Sequence, residues 1–106
     1  MTTLRELVDK AEKGHVDTQC RVGEIYYVGK YVPRNFKEAA KWYRMAAEKG
    51  SPKGQYKLGT MYLEGKGVEC DYGEGIVWVQ KAADQNYIPA CEVLNMIVMK
   101  MKSEIL

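Results

Sequence analysis

The tetrapeptide Ala-Glu-Lys-Gly occurs twice in this chain, at residues 11–14 and, 36 residues later, at 47–50. It opens a longer repeat, because an ungapped alignment of residues 11–46 with 47–82 gives 13 identities in 36 positions. A third copy begins at Ala83 and covers about half a unit. A fixed period of this length is typical of helical solenoids, in which each unit packs on the next. The repeat therefore predicts an all-α protein.

Each unit is predicted to fold as helix, loop, helix. In the second unit, Ser51 and Pro52 are typical of a helix start, and Gly65 is typical of a helix end. A second helix then begins at Asp71 with Glu74 three residues later, the spacing of a capping box. The same spacing recurs one unit earlier. Apolar residues spaced three to four apart support both helices.

The whole chain is predicted to be one domain of about two and a half units. A capping helix is assigned to residues 1–10, repeat 1 to 11–46, repeat 2 to 47–82, and a partial repeat 3 to 83–106. This organisation gives six helices: one cap, two full pairs and one closing helix.

Glycines inside the predicted helices have two interpretations. Gly23 and Gly59 occupy equivalent positions in the first helices, which suggests a close crossing that admits no side chain. Gly73 and Gly75 are expected to weaken the start of the helix that holds Trp78.

Composition excludes several classes of protein. Sixteen basic and 14 acidic side chains leave a net charge of +2, which gives no argument for binding nucleic acid or a membrane surface. The N-terminus has no apolar run of a secretion signal, and no stretch approaches the ~20 apolar residues of a membrane span. We therefore expect a cytoplasmic protein with its three cysteines as free thiols.

No catalytic, cofactor or metal site is predicted. His15 is the only histidine, and no Cys-x-x-Cys pair is present, whereas a zinc site needs about four spaced ligands. Nothing in the pattern implies a nucleophile with a paired base. The chain is therefore not expected to be an enzyme.

The repeat residues resemble the Sel-1-like repeat, a relative of the tetratricopeptide repeat. The resemblance rests on Ala47-Glu-Lys-Gly50, Leu58-Gly59, Tyr62, Gly65-Lys-Gly67-Val68, Asp71 and Trp78-Val-Gln-Lys-Ala-Ala83. It implies an α-α superhelix, a right-handed solenoid of antiparallel helix pairs that acts as a scaffold or adaptor for another protein. Unit one departs from the motif, since it has Tyr31 and Asn35 where the motif prefers glycine and aspartate.

In the tetratricopeptide relatives the first helix of each pair lines a concave groove. Transferred by repeat position, this predicts a partner-binding face made of Asp17, Cys20, Glu24, Tyr27, Lys53, Tyr56, Thr60, Leu63, Glu92, Met96 and Met99. The chemistry changes at equivalent positions while the scaffold residues stay constant, as expected of a groove for one ligand. Tolerated surface variation is the alternative. Trp42 and Trp78 are predicted to lie in the core, with ligand stacking as the alternative.

The function predicted is protein binding through the concave face. An alternative is an immunity or inhibitor protein that neutralises a toxin or enzyme, and a third is a structural piece that stacks end to end. At the C-terminus, Leu94, Ile97, Val98 and Met101 are predicted to pack on the second unit, with Met96 and Met99 left uncovered. Such a patch predicts self-association or partner docking through residues 91–106, unless the tail folds back over itself.

Overall fold

Six α-helices make up the fold. The structure, a computed structural model, describes residues 2–105, and no strand occurs among them. The helices are α1 (Leu4–Glu12), α2 (Val16–Val28), α3 (Phe36–Glu48), α4 (Pro52–Glu64), α5 (Tyr72–Ala83) and α6 (Ile88–Ile105). Each packs chiefly against its neighbours in the chain. The predicted all-α fold, with a cap, two pairs and a closing helix, is confirmed.

The helix starts depend on side-chain caps. The side chains of Asn35 and Asp71 each accept a hydrogen bond from the backbone N–H three residues later, at 3.0 Å. Ser51 accepts the same kind of bond from Gly54 at 3.1 Å. Each cap satisfies an N–H that the helix itself leaves free, so the predicted starts are confirmed. At the other end, Gly65 closes α4 with a φ of 69°, a conformation that glycine adopts without strain.

Helices α4 and α5 cross where both carry glycine. A Cβ at position 59 would lie 2.6 Å from Val79 Cγ2 and 2.9 Å from the Gly75 carbonyl oxygen. A Cβ at position 75 would lie 2.8 Å from Leu63 Cδ2. The predicted close crossing is confirmed. Gly75, expected to weaken the start of α5, also has a packing role there, because its missing side chain makes room for Leu63.

The core is a row of three clusters along the stack. Trp42 packs with Leu7 and Val22, whereas Trp78 packs with Tyr43 and Leu58 of the preceding helices. Both tryptophans are buried, with 3% and 9% of their surface exposed. Their position in the core is as predicted, and burial leaves no face free for ligand stacking.

The described part of the chain is elongated, with principal extents of 54 × 26 × 19 Å. This shape follows from stacking helix pairs along one direction rather than around one centre. Among residues 2–105 no helix combines the length and the apolar character that a membrane span requires.

The closing helix α6 differs from its prediction. Leu94 and Ile97 are half-buried, but Val98 and Met101 are 47% and 53% exposed, so the predicted stripe was wrong at these two positions. The reason is length: α6 has 18 residues and its partner α5 has 12, so the last turns of α6 have less of α5 to pack on. The tail does not fold back, since α6 continues to Ile105. Leu106 of the predicted 91–106 surface lies outside the described residues.

Candidate functional site

The candidate site is the outward face of α2, α4 and α6, called here the first-helix surface. Of the eleven residues predicted to form it, five are exposed: Asp17, Glu24, Glu92, Met96 and Met99. Five more are half-buried: Lys53, Tyr27, Tyr56, Thr60 and Leu63. Ten of the eleven therefore have surface that a partner can contact.

Cys20 is the exception. Only 4% of its surface is exposed, and its Sγ lies 3.5 Å from the Ser51 Oγ at the start of α4. Burial raises the pKa of the Cys20 thiol, which favours the neutral form. Its short side chain fits beneath the start of the next unit, whereas the longer Tyr56 at the equivalent position does not. The prediction that Cys20 contacts a partner was wrong.

Helices α2 and α4 present their faces side by side. Lys53 Nζ lies 3.6 Å from Glu24 Oε2 and forms an ion pair across the two units. Because both side chains are largely exposed, this pair contributes little to stability. The pair nevertheless shows that predicted residues of two different repeats belong to one continuous surface.

Tyr27 is the centre of an aromatic and cationic cluster. Its ring lies 5.1 Å from the Phe36 ring, centroid to centroid. The Nζ atoms of Lys57 and Lys66 lie 5.5 and 5.7 Å from the centroid of the Tyr27 ring. Ammonium groups at this distance are attracted to the ring face. The cluster combines a large contact area with positive charge.

Tyr56 and Leu63 occupy the other end of the α4 face. The Tyr56 ring lies 5.5 Å from the ring of Tyr87, and both Tyr56 and Leu63 pack on the cluster around Val79. Partial burial and, after it, the neighbouring Tyr87 raise the pKa of Tyr56. Its hydroxyl can donate a hydrogen bond to a partner.

An open cleft at the N-terminal end was not predicted. It has a volume of about 750 Å³, and its lining includes Leu7, Arg21, Glu24 and Tyr31. Its existence depends on the angle between α1 and α2, which no local pattern reveals. One signal was available, however, since Tyr31 stands where the family motif prefers glycine. Tyr31 has a φ of 71° and is 79% exposed.

Metal ligands are absent from this surface. Between residues 2 and 105, no group of three or more His, Cys, Asp or Glu side chains is arranged to hold an ion. Cys20, Cys70 and Cys91 are free thiols.

The architecture is that of a helical-repeat solenoid. The family model for the Sel1 repeat matches residues 16–51 and 52–87, two units of 36 residues that together cover more than half of the chain. The chain therefore belongs to the Sel1 repeat family, and the predicted α-α superhelix is confirmed. The matched units begin five residues after the boundaries assigned above, at the first helix of each pair. The Sel1 fold is generally a non-catalytic protein–protein interaction module.

Three solved structures of similar fold come from bacteria. A Sel1 repeat protein from Oxalobacter formigenes is 33% identical with a TM-score of 0.84, over 88% of this chain and 27% of that one. The c5321 protein, a protective antigen of uropathogenic Escherichia coli strains, is 35% identical with a TM-score of 0.86, over 89% of this chain and 20% of that one. Cysteine-rich protein B of Helicobacter pylori is 26% identical with a TM-score of 0.79, over 85% of this chain and 68% of that one.

The present chain thus spans about a quarter of the first of these proteins and a fifth of the second. No curated protein sequence matches it.

Proposed function

We propose that this protein is an adaptor or scaffold that binds one partner protein through the first-helix surface of α2 and α4. The observation that carries the proposal is a contrast between two sets of repeat positions. Within α2 and α4, the recurring glutamines Gln19 and Gln55 and the recurring glycines Gly23 and Gly59 are buried in the scaffold. Positions of the same two helices whose chemistry changes between units, such as Glu24 and Thr60, reach the surface.

The chemistry of this surface supports a protein partner. Tyrosines are among the residues that most often dominate binding energy at protein interfaces, and Tyr27 and Tyr56 are both accessible here. Charged groups lie beside Tyr27: the Lys57 Nζ is 5.5 Å from the centroid of its ring, and Glu24, one turn earlier, pairs with Lys53. An apolar and aromatic centre with charged residues at its edge is the usual anatomy of an interface.

Tyr31 extends the proposed site into the N-terminal cleft. An exposed tyrosine in the left-handed region is uncommon, since that conformation costs a side-chain-bearing residue roughly 1–3 kcal/mol. Strain of this kind is found most often where a residue serves binding rather than stability. Tyr31 and Glu24 both line the cleft, so the proposed site runs from the cleft onto α2.

The kind of partner distinguishes two forms of the proposal. The alternative from the sequence, an immunity or inhibitor protein, uses the same surface and differs only in what is bound.

A cytoplasmic location also belongs to the proposal, and fractionation of the native cells followed by detection with an antibody tests it.

The experiment begins with capture of the partner from lysate of the native cells and its identification by mass spectrometry. The purified partner is then titrated into the protein by calorimetry. The test variant reverses two exposed charges of α2, Asp17→Lys and Glu24→Lys. The control variant, Lys37→Glu and Lys41→Glu, changes as many charges on exposed positions of α3.

We expect the α2 variant to weaken binding at least tenfold, or about 1.4 kcal/mol, and the α3 variant to bind as the wild type does. Circular dichroism checks that all variants keep their helical content. If the α3 variant loses affinity and the α2 variant keeps it, the partner binds the opposite face and the proposal fails. A captured partner that is a toxin or enzyme, inhibited in its activity by the protein, selects the immunity or inhibitor alternative.

A further inference from the structure

We propose that the outer face of α6 binds a second copy of the same chain, with the two α6 helices antiparallel about a two-fold axis at Met96. The inference uses only the α6 part of the first-helix surface, whereas the proposed partner site lies on α2 and α4, so it stands independently of that site. A second copy in this place would cover Glu92, Met96 and Met99, and would leave the first-helix surface of α2 and α4 to the partner.

Met99 is exposed, whereas the residues at the equivalent positions of the first two units are partly covered. Tyr27, Leu63 and Met99 occupy equivalent positions in the three units. Tyr27 is covered in part by Phe36, and Leu63 by the start of α5 at Gly75, so the first two positions each lie under the helix that follows. Met99 has no such neighbour among the described residues and is 70% exposed, as is Met96. Apolar surface of this kind usually marks an interface.

The outer face of α6 does not allow a further repeat helix to pack on it as α5 packs on α4. At Gly59 the following helix approaches so closely that an added Cβ would lie 2.6 Å from Val79 Cγ2. The equivalent position in α6 is Asn95, whose side chain would occupy that space. The close crossing that unites α4 with α5 is therefore unavailable to α6.

The outer face of α6 also carries two side chains of opposite charge. Glu92 and Lys100 stand four residues before and four residues after Met96, on the same side of the helix. Both are exposed, and neither forms an ion pair with any of residues 2–105. In an antiparallel pair centred on Met96, each Glu92 lies opposite the Lys100 of the second copy. The same register places Met96 opposite Met96 of the second copy.

The other simple arrangements are less favourable. In a parallel pair each Glu92 would face Glu92 of the second copy, and each Lys100 would face Lys100. A head-to-tail stack would join α6 to the outer face of α1, where Arg5, Glu6 and Asp9 are exposed and charged. An apolar helix face gains little from such a surface. The antiparallel pair is the arrangement that satisfies both the methionines and the charges.

The test is sedimentation velocity on the full chain at concentrations up to about 1 mM, because an interface of one helix per copy is small and binds weakly. We expect a concentration-dependent dimer, and we expect Met96→Glu to remain monomeric. Glu92→Lys and Lys100→Glu, made singly, each place like charges at two sites and should weaken the dimer by about tenfold. Lys102→Glu changes the same charge on the same helix away from the axis and should have no such effect.

Mixing the two single variants gives the decisive result. A chain with Lys at 92 and 100 complements a chain with Glu at both, so the equimolar mixture should form a heterodimer more tightly than either variant alone forms a homodimer. The double exchange Glu92→Lys with Lys100→Glu should restore the homodimer. A wild-type chain that stays monomeric at the highest concentration overturns the proposal. So do single variants that associate as the wild type does, which is the result expected of a parallel pair.

Discussion

Gln55 donates a hydrogen bond from its Nε2 to the carbonyl oxygen of Ala47, eight residues earlier, at a distance of 3.3 Å. The pair joins the first helix of repeat 2 to the end of the helix before it. Gln19 and Ala11 form the same bond one unit earlier, at 3.0 Å. In the third unit Cys91 replaces glutamine, and its Sγ lies 3.8 Å from the Ala83 carbonyl oxygen. The glutamine is thus a recurring link between successive units.

The two glutamines should not contribute equally. The Gln55 Oε1 accepts a bond from Gln85 Nε2 at 2.9 Å, whereas the buried Gln19 Oε1 has no partner among the described residues. Gln55→Met should therefore lower the free energy of unfolding by about 1–3 kcal/mol, and Gln19→Met by about 1 kcal/mol or less. Urea denaturation followed by circular dichroism measures both. Equal losses in the two variants would contradict this account.

Replacing Gly59, at the crossing of α4 and α5, by alanine should lower the stability of the protein, whereas alanine in place of a helical glycine ordinarily raises it. Gly59→Ala should destabilise the protein by about 1–3 kcal/mol, because its Cβ meets Val79 and the Gly75 carbonyl and the helices must separate. Gly73→Ala is the control: its Cβ lies 3.4 Å from Asp71 Oδ1, an ordinary contact, so helix propensity should stabilise the protein by up to ~1 kcal/mol. Thermal melting of the two variants should show shifts of opposite sign.

Trp78 should stabilise the folded state through the volume of its side chain and not through a hydrogen bond of its indole N–H. Trp78→Ala should cost ~3–5 kcal/mol, a large share of the ~5–15 kcal/mol typical of a domain. Trp78→Phe should cost less than about 2 kcal/mol, because Nε1 has no hydrogen-bond partner among the described residues. Denaturant titration compares them. A melting temperature for Trp78→Ala close to that of the wild type would show that the side chain is not in the core.

Tyr43 should make the fold sensitive to alkali. Its ring is fully buried, and burial raises the pKa of its hydroxyl in the folded chain. Above pH ~10 the unfolded chain loses this proton while the folded chain keeps it, so the free energy of unfolding should fall as pH rises. Tyr43→Phe should remove this part of the fall. Tyr72→Phe, at a residue 67% exposed, is the matched control.

At neutral pH Tyr43→Phe should change stability by about 1 kcal/mol or less, because the hydroxyl has no hydrogen-bond partner in the described structure. Measurement of the unfolding free energy from pH 7 to 11 separates the two effects. Parallel curves for wild type and Tyr43→Phe would show that other groups cause the alkaline loss.

Repeat identity predicted the architecture well because it reports on local geometry. Ser51 and Asp71 begin helices through bonds to residues three positions away, and such short-range chemistry is readable in one dimension. The first-helix surface was also largely accessible where position in the repeat placed it.

The errors came from contacts between units. Cys20 and Tyr56 share a repeat position, yet the small thiol is buried beneath Ser51 and the ring is not. Val98 was expected to be covered. The length of α5 determines how much of α6 is packed, and the spacing of apolar residues within α6 does not predict the length of α5. The cleft beside Tyr31 likewise depends on an angle between helices.

The packing of each helix chiefly on its chain neighbours has a consequence for how the molecule opens. Contacts between helices join chiefly helices that are adjacent in the chain, so the chain has low contact order and should fold fast for its size. Helix α6 is held on one side only, so it can detach while the pair α3 and α4 stays intact. Backbone amide exchange should therefore be graded, fastest in the end helices α1 and α6 and slowest at the middle of the stack, because each end helix packs chiefly on one neighbour.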